Sequence, residues 1–320
     1  MAEDPNEAPN PPLRIRPLAE RKNLVTKDQF ARVVPPVDGF LSWFEALPEI
    51  YGSKALKHIV ARIVDARAQG REVGVALGAH VLKVGLSPLL IDLMRRGLIT
   101  HVATNGASAI HDWETAYQGA TSEDVAANLP DGSFGFWRET FDGLNAAARR
   151  GAQGEGFGLA LGRQIVEGEL PYRHLSVFAE AARLGIPATI HVAFGCDITH
   201  MDPELDGGAL GAASQRDFWV LCDTVGRLEH GVWCNFGSAV IMPEVFLKAV
   251  SVARNRGRLG DDFLTCNFDM ISHYRALTNV VQRPPKEGRN VIAMHEIVLP
   301  LLHQALLCTA AKRGILEEPR

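Results

Sequence analysis

Two imidazoles and two carboxylates crowd one short segment of the chain: His191, Asp197, His200 and Asp202. Imidazole and carboxylate are the usual ligands of catalytic divalent metals and the usual carriers of protons in catalysis. His191 falls inside an apolar run and reads as a core histidine. Asp197, His200 and Asp202 follow in a polar stretch and are better placed to bind something. A metal-dependent hydrolase built on these three is one reading of them. His111-Asp112 is a second candidate, either an acid/base pair or the cap of a helix. Lys83 reads as a phosphate contact or as a solvated loop lysine. Cys196 is a nucleophile only if a neighbour lowers its pKa, and His200 is the one candidate for that.

These groups need a frame, and residues 72–112 supply its first unit. Residues 73–77 form an apolar run closed by Gly78, which reads as a buried parallel strand. Ser87-Pro88 opens a helix, with proline at its first position. Leu89, Leu90, Leu93 and Met94 give that helix one apolar face, and Gly97 stops it. A second strand begins at His101. The loops expected after these strands are Gly78-Ala79-His80 and Thr104-Asn105-Gly106-Ala107-Ser108.

The rhythm repeats in the second half, with strands expected at 187–194, 232–236 and 263–266 between helices at 175–184, 214–228, 243–255 and 294–312. Strands alternating with helices of this length predict a doubly wound, mostly parallel α/β sheet of the Rossmann-like kind. Ligands in such sheets sit outside the carboxyl ends of the strands. Asp197, Gly237-Ser238, and Asn267 with Asp269 should therefore converge with the first two loops on one edge, in a site sized for a cofactor. Gly237-Ser238 precedes a helix and suits an anion. Residues 151–158 carry a run of glycines superficially like a dinucleotide fingerprint. They follow a helix rather than a strand, so they read as a connector. Residues 121–124 read as the start of a short helix, and residues 40–67 as largely helical.

Composition narrows the class. The chain has 320 residues, 47% of them apolar, enough for a large core. A formal charge of −4 gives no electrostatic case for nucleic acid or an anionic membrane. Five scattered cysteines form no Cys-x-x-Cys pair and fit free thiols in a reducing compartment. No apolar run is long enough to span a bilayer, so a soluble cytoplasmic protein is expected. Residues 1–36 hold seven prolines and read as an N-terminal arm, disordered over the first dozen residues and docking further on. Residues 37–320 read as one domain.

From about residue 73 to 284 the chain resembles the deoxyhypusine synthase superfamily, as a divergent prokaryotic branch. The family's Thr-Thr-Ala-Gly-Gly loop corresponds to Thr104-Asn105-Gly106-Ala107-Ser108, and its Thr-Ser-Asn to Gly78-Ala79-His80. Its Asp-x-x-x-x-Asp matches Asp197 and Asp202, its glycine loop Phe236-Gly237-Ser238, and its Asn-Thr-Ala Asn267-Phe268-Asp269. The resemblance implies an NAD-binding Rossmann-like fold and a homotetramer with sites at subunit interfaces. It implies NAD held by Gly78, His80, Thr104, Asn105, Gly106, Asp197, Gly237, Ser238 and Asn267. Asp202 would pair with a cationic amine, and His111 or His200 would move protons. The family's catalytic lysine, in Ser-Trp-Gly-Lys after Arg-Pro, has no counterpart here. Arg283-Pro284 is followed by Pro285-Lys286-Glu287-Gly288, which argues against authentic deoxyhypusine synthesis. Two readings result: an NAD-dependent transferase or oxidoreductase acting on an amine or polyamine, and a nucleotide-binding module without turnover.

Overall fold

The computed structural model describes residues 12–320. The disorder expected of the first dozen residues falls, except at Pro12, outside the described residues. These form eight strands: β1 (Asn23–Thr26), β2 (Val73–Leu77), β3 (His101–Asn105), β4 (Ala120–Glu123), β5 (Ala188–His191), β6 (Val232–Phe236), β7 (Leu264–Asp269) and β8 (Glu287–Ile292). β1 and β4 pair antiparallel, and the other six make one parallel sheet in the order β5-β3-β2-β6-β7-β8. Counted along the chain, that order is third, second, first, fourth, fifth, sixth. The sheet is wound outward from β2 in both directions, as expected of a doubly wound fold. The direction reverses between β2 and β6, which is where such sheets open a crevice for ligands.

Side-chain alternation divides the core between the two faces of the sheet. Val73, Val75 and Leu77 pack with apolar residues of the helices Tyr51–Ala68, Ser87–Arg95 and His295–Lys312. Ala76 and Trp233 pack on the other face with Phe246 and Val250 of the Ile241–Asn255 helix and Leu221 of the Gly207–Val225 helix. The Trp233 indole stacks on Phe246 with ring centroids 4.7 Å apart. It lies so close to Gly74 that a Cβ there would sit 2.4 Å from the ring, so only glycine fits. Each such buried ring contributes roughly 1.5–3 kcal/mol relative to exposure.

Several expectations are corrected. Residues 120–123 are strand β4, not the start of a helix; their partner β1 lies far away in sequence. The N-terminal arm thereby lies on its own chain, with Arg16 also bridged to Trp137. Thr104 and Asn105 are the end of β3, and Gly106 opens the Gly106–Gln118 helix directly, so no loop intervenes. Asn267 lies inside β7 rather than beyond it. β8 is an unforeseen edge strand. No helix among the described residues is long and apolar enough to cross a membrane.

Candidate functional site

The carboxyl ends of β2 and β6 meet at the switch point. The backbones of Gly78 and Gly237 touch: a Cβ on Gly78 would lie 2.1 Å from the Gly237 carbonyl oxygen. Gly237 holds φ +63°, which favours glycine, and its N–H donates to the Phe268 carbonyl at 2.9 Å. Ser238 Oγ accepts from the Met242 N–H at 3.1 Å and so caps the Ile241–Asn255 helix. His80 stands 5.5 Å from His295, ring to ring. Around them, His80 Nε2, His295 Nδ1, Asn235 Oδ1 and Asp269 Oδ2 are buried without a hydrogen-bond partner. A buried polar atom left unpaired costs about 1–3 kcal/mol. Burial, then His295, lowers the pKa of His80 and holds its ring neutral. His295 Nε2 donates to the Phe268 carbonyl, which leaves Nδ1 an acceptor. Three of the four unpaired atoms are thus acceptors awaiting donors.

Asn267 supports this cluster rather than facing it. Its Oδ1 accepts from Asn235 Nδ2 at 2.7 Å, and its Nδ2 donates to Asn290 Oδ1 at 2.8 Å, an amide ladder across β6, β7 and β8. Thr104 is likewise internal, buried and donating to the Thr189 carbonyl at 3.4 Å. Asn105 caps the helix it precedes, its Oδ1 accepting from Ser108 N–H at 3.0 Å and Ser108 Oγ at 2.8 Å.

Gly106 lets Asp197 reach the same helix end. A Cβ on Gly106 would lie 2.0 Å from Asp197 Oδ2, and the Ala107 N–H bonds the carboxylate. Burial pushes this carboxyl up to about 6, with the backbone bond opposing. The helix N-terminus is therefore filled by the chain's own carboxylate and does not offer itself to a phosphate. His200 flanks it. Its Nδ1 accepts from the N–H groups of Gly195 and Asp197 at 3.1 and 3.2 Å, so the proton sits on Nε2, 3.8 Å from Asp197 Oδ2.

Beside Asp197 opens a cavity of about 240 Å³. Ala107, Ile110, His111 and Glu114 form one wall, at helical spacing on the Gly106–Gln118 helix. Glu114 is buried and holds Arg21 through two bonds of 2.6 Å. It also accepts from Thr121 Oγ1 at 2.6 Å. Because that hydroxyl donates to Glu114, it must accept from His111 Nδ1, 2.7 Å away. The tautomer of His111 is fixed, and its Nε2 is left as a lone-pair acceptor. Burial pushes its pKa down to about 4, so the ring is neutral at neutral pH. Lys83, Ser122 and Cys196 also line the cavity. The pairing of Arg21 with Glu114 could be found from no local pattern; β1, which delivers Arg21, is placed by tertiary contact alone.

Other expected groups go elsewhere. Asp202 accepts from Asn145 Nδ2 at 2.5 Å and the Glu204 N–H at 3.1 Å, and is absent from the cavity wall. Asp197, His200 and Asp202 do not assemble as ligands; no metal-holding group of three occurs among the described residues. Asp112 points away from His111 and binds Ser176 Oγ and the Val177 N–H, capping the Val177–Leu184 helix, so the two are no acid/base pair. His191 bonds Thr189 Oγ1 at 3.0 Å within the core, as a core histidine should. Lys286 precedes β8 and so lies at the amino edge of the sheet, opposite the site, where it cannot replace the missing lysine.

No protein-family model and no curated protein matches the chain. Solved structures do. AgrE, in a ternary complex with ornithine and NAD+, is 15% identical with a TM-score of 0.54, over 88% of this chain and 35% of that one. ArgZ, an arginine dihydrolase from the ornithine-ammonia cycle in Cyanobacteria, is 17% identical with a TM-score of 0.50, over 80% and 33%. A protein from Methanococcus maripaludis S2 described as LOR/SDH is 16% identical with a TM-score of 0.51, over 86% and 74%. The chain spans about a third of the length of AgrE and ArgZ. At these identities the likeness shows the fold alone, a parallel α/β sheet wound in the order described above.

Proposed function

We propose that this protein binds a nicotinamide dinucleotide at the switch point and acts on a small amine-bearing molecule held in the adjoining cavity. The observation that carries the reading is the cluster of unpaired buried atoms, His80 Nε2, His295 Nδ1, Asn235 Oδ1 and Asp269 Oδ2, gathered where the strand order reverses. Acceptors of this kind fit the ribose hydroxyls and the carboxamide of a dinucleotide. Asp197 fills the end of the Gly106–Gln118 helix, and at the Ile241–Asn255 helix Ser238 takes the Met242 N–H and Pro243 has none, which leaves the Ile241 N–H for a phosphate oxygen. The fold shared with AgrE, seen with ornithine and NAD+, supports the same assignment. Of the residues expected to hold NAD, Gly78, His80, Gly237 and Ser238 keep that role, Thr104, Asn105, Gly106 and Asn267 position their neighbours, and Asp197 turns to the substrate instead.

When bound, the dinucleotide supplies oxidation of the carbon that bears the amine. The chain does the rest. Asp197 pairs with the ammonium form of the substrate, and the unpaired Nε2–H of His200 lies 3.8 Å from its carboxylate. His111 Nε2 accepts a proton, with Thr121 and Glu114 holding the ring in the right tautomer. Transfer to a protein lysine is not part of the proposal, since Lys286 lies at the wrong edge. The reading is tested by incubating the protein with NAD+ and a panel of diamines, polyamines and amino acids. Growth of the reduced-nicotinamide absorbance supports it, and NAD+ binding without turnover would leave a nucleotide-binding module instead. The homo-oligomer implied by the family resemblance is part of the proposal and is checked by native mass spectrometry.

A further inference from the structure

The cavity beside Asp197 is too small for a dinucleotide. Its volume is about 240 Å³, below the roughly 300–1,000 Å³ of sites that enclose drug-sized ligands. Its charges are divided. Arg21 and Glu114 neutralise one another through two bonds of 2.6 Å. Glu123 is occupied by the Gly135 N–H at 3.0 Å and Asn128 Nδ2 at 2.7 Å. Lys83 reaches the wall from the end of the Ala79–Lys83 helix with no ion-pair or hydrogen-bond partner among the described residues. The same short helix carries His80 at the switch point, so the two regions adjoin there.

A second observation points to a ligand. Ser122 lines the cavity, is 2% exposed, and its Oγ has no partner. Its backbone holds φ +68°, a conformation that costs a non-glycine residue on the order of 1 kcal/mol or more. Strain and an unpaired hydroxyl at one position, on the wall of a cavity, mark a group kept for binding. Facing ligand, then, are one free cation with a free hydroxyl donor, and one carboxylate with a fixed imidazole lone pair.

We infer that this cavity binds a small amino-acid zwitterion, its carboxylate held by Lys83 and Ser122 and its ammonium by Asp197 and His111 Nε2. The inference rests on the cavity being the substrate site and names the substrate class: an amino acid rather than a polyamine, which has no anionic end for Lys83. A polyamine would bring a second cation toward Lys83 instead.

The test is calorimetric titration of the full chain, without dinucleotide, against the proteinogenic amino acids and L-ornithine, with putrescine and pentanoate as probes lacking one charge each. At least one amino acid should bind, and putrescine and pentanoate should bind at least about tenfold more weakly, the value of one charge-assisted bond. Lys83→Gln should weaken the amino acid about tenfold to a hundredfold and leave putrescine no weaker. Asp197→Asn should weaken both. Lys83 is partly exposed and its variant should melt with the wild type. Failure of every amino acid to bind, putrescine binding as tightly, or an unchanged affinity in Lys83→Gln would each overturn the inference. NAD+ is titrated separately: its failure to bind would sink the dinucleotide reading and leave the cavity result standing.

Discussion

The two halves of the carboxyl edge are built on opposite plans. Around β3 and β5, most polar groups are closed into circuits, Arg21 with Glu114, Glu114 with Thr121, Thr121 with His111 and Asp197 with Ala107, which leaves Lys83 and the Ser122 hydroxyl to face the cavity. Around β2 and β6, polar atoms stand unpaired, and two glycine backbones touch where side chains would intrude. The first half is pre-organised around a small cavity. The second is incomplete without something to donate hydrogen bonds. A site whose one half is rigid and whose other half awaits its partner suits a substrate bound against a cofactor, each with its own recognition chemistry.

The contrast can be broken from the circuit side first. Arg21→Met leaves the Glu114 carboxylate buried and unpaired, so unfolding in denaturant should show a loss of about 3–5 kcal/mol. A loss below about 1 kcal/mol, the worth of an exposed pair, would mean the circuit is not buried in solution.

Asp197→Asn comes next and has a pH signature. The Asp197 carboxyl titrates near 6 in the folded chain, above its ordinary 3.8, because burial disfavours its charged form. A carboxyl raised in this way contributes stability that is full below its unfolded pKa and is lost as pH rises through its folded one. Wild type should therefore lose up to about 3 kcal/mol from this group between about pH 4 and pH 7, and Asp197→Asn should not. Denaturation curves for the two that stay parallel across that window would contradict the burial of this carboxylate.

Gly106→Ala tests the close approach that positions Asp197. A methyl placed 2.0 Å from Oδ2 must displace it, at a cost of about 1–3 kcal/mol by thermal unfolding. Thr121→Val is the mildest change, about 1 kcal/mol for one lost hydrogen bond. Its sharper readout is the nitrogen NMR spectrum of His111, which should show a single Nδ1–H tautomer in wild type and a mixture in the variant.

How much of this the sequence revealed depends on where the pairing information lies. β2 and β6 are mostly apolar runs, each closed by a glycine, and both strands are found where those runs predict them. The edge strand β8 reads Glu-Gly-Arg-Asn-Val-Ile, with a single fully buried residue, so no apolar run announces it. β4 reads Ala-Thr-Ser-Glu and looks like a helix start; it becomes a strand only because β1 pairs with it. The candidate residues divide the same way. The place of Gly78, His80, Gly237 and Ser238 just beyond β2 and β6 was legible because glycine and a helix start punctuate strand ends. Asn105 and Asp202 look like ligand groups in sequence, yet they cap a helix and bind Asn145, and only coordinates reveal those partners. The Arg21–Glu114–Thr121–His111 circuit was illegible because its cation lies just before β1, a strand distant in sequence and held by tertiary contact.

The central claim, that the switch point between β2 and β6 receives a nicotinamide dinucleotide, is tested most directly by titrating NAD+ into wild type and Gly78→Ala. The added methyl would sit 2.1 Å from the Gly237 carbonyl oxygen and force the two loops apart. The account predicts saturable one-site binding to wild type and its loss in a Gly78→Ala protein that still folds. No binding to wild type, or equal affinity in the variant, would contradict it.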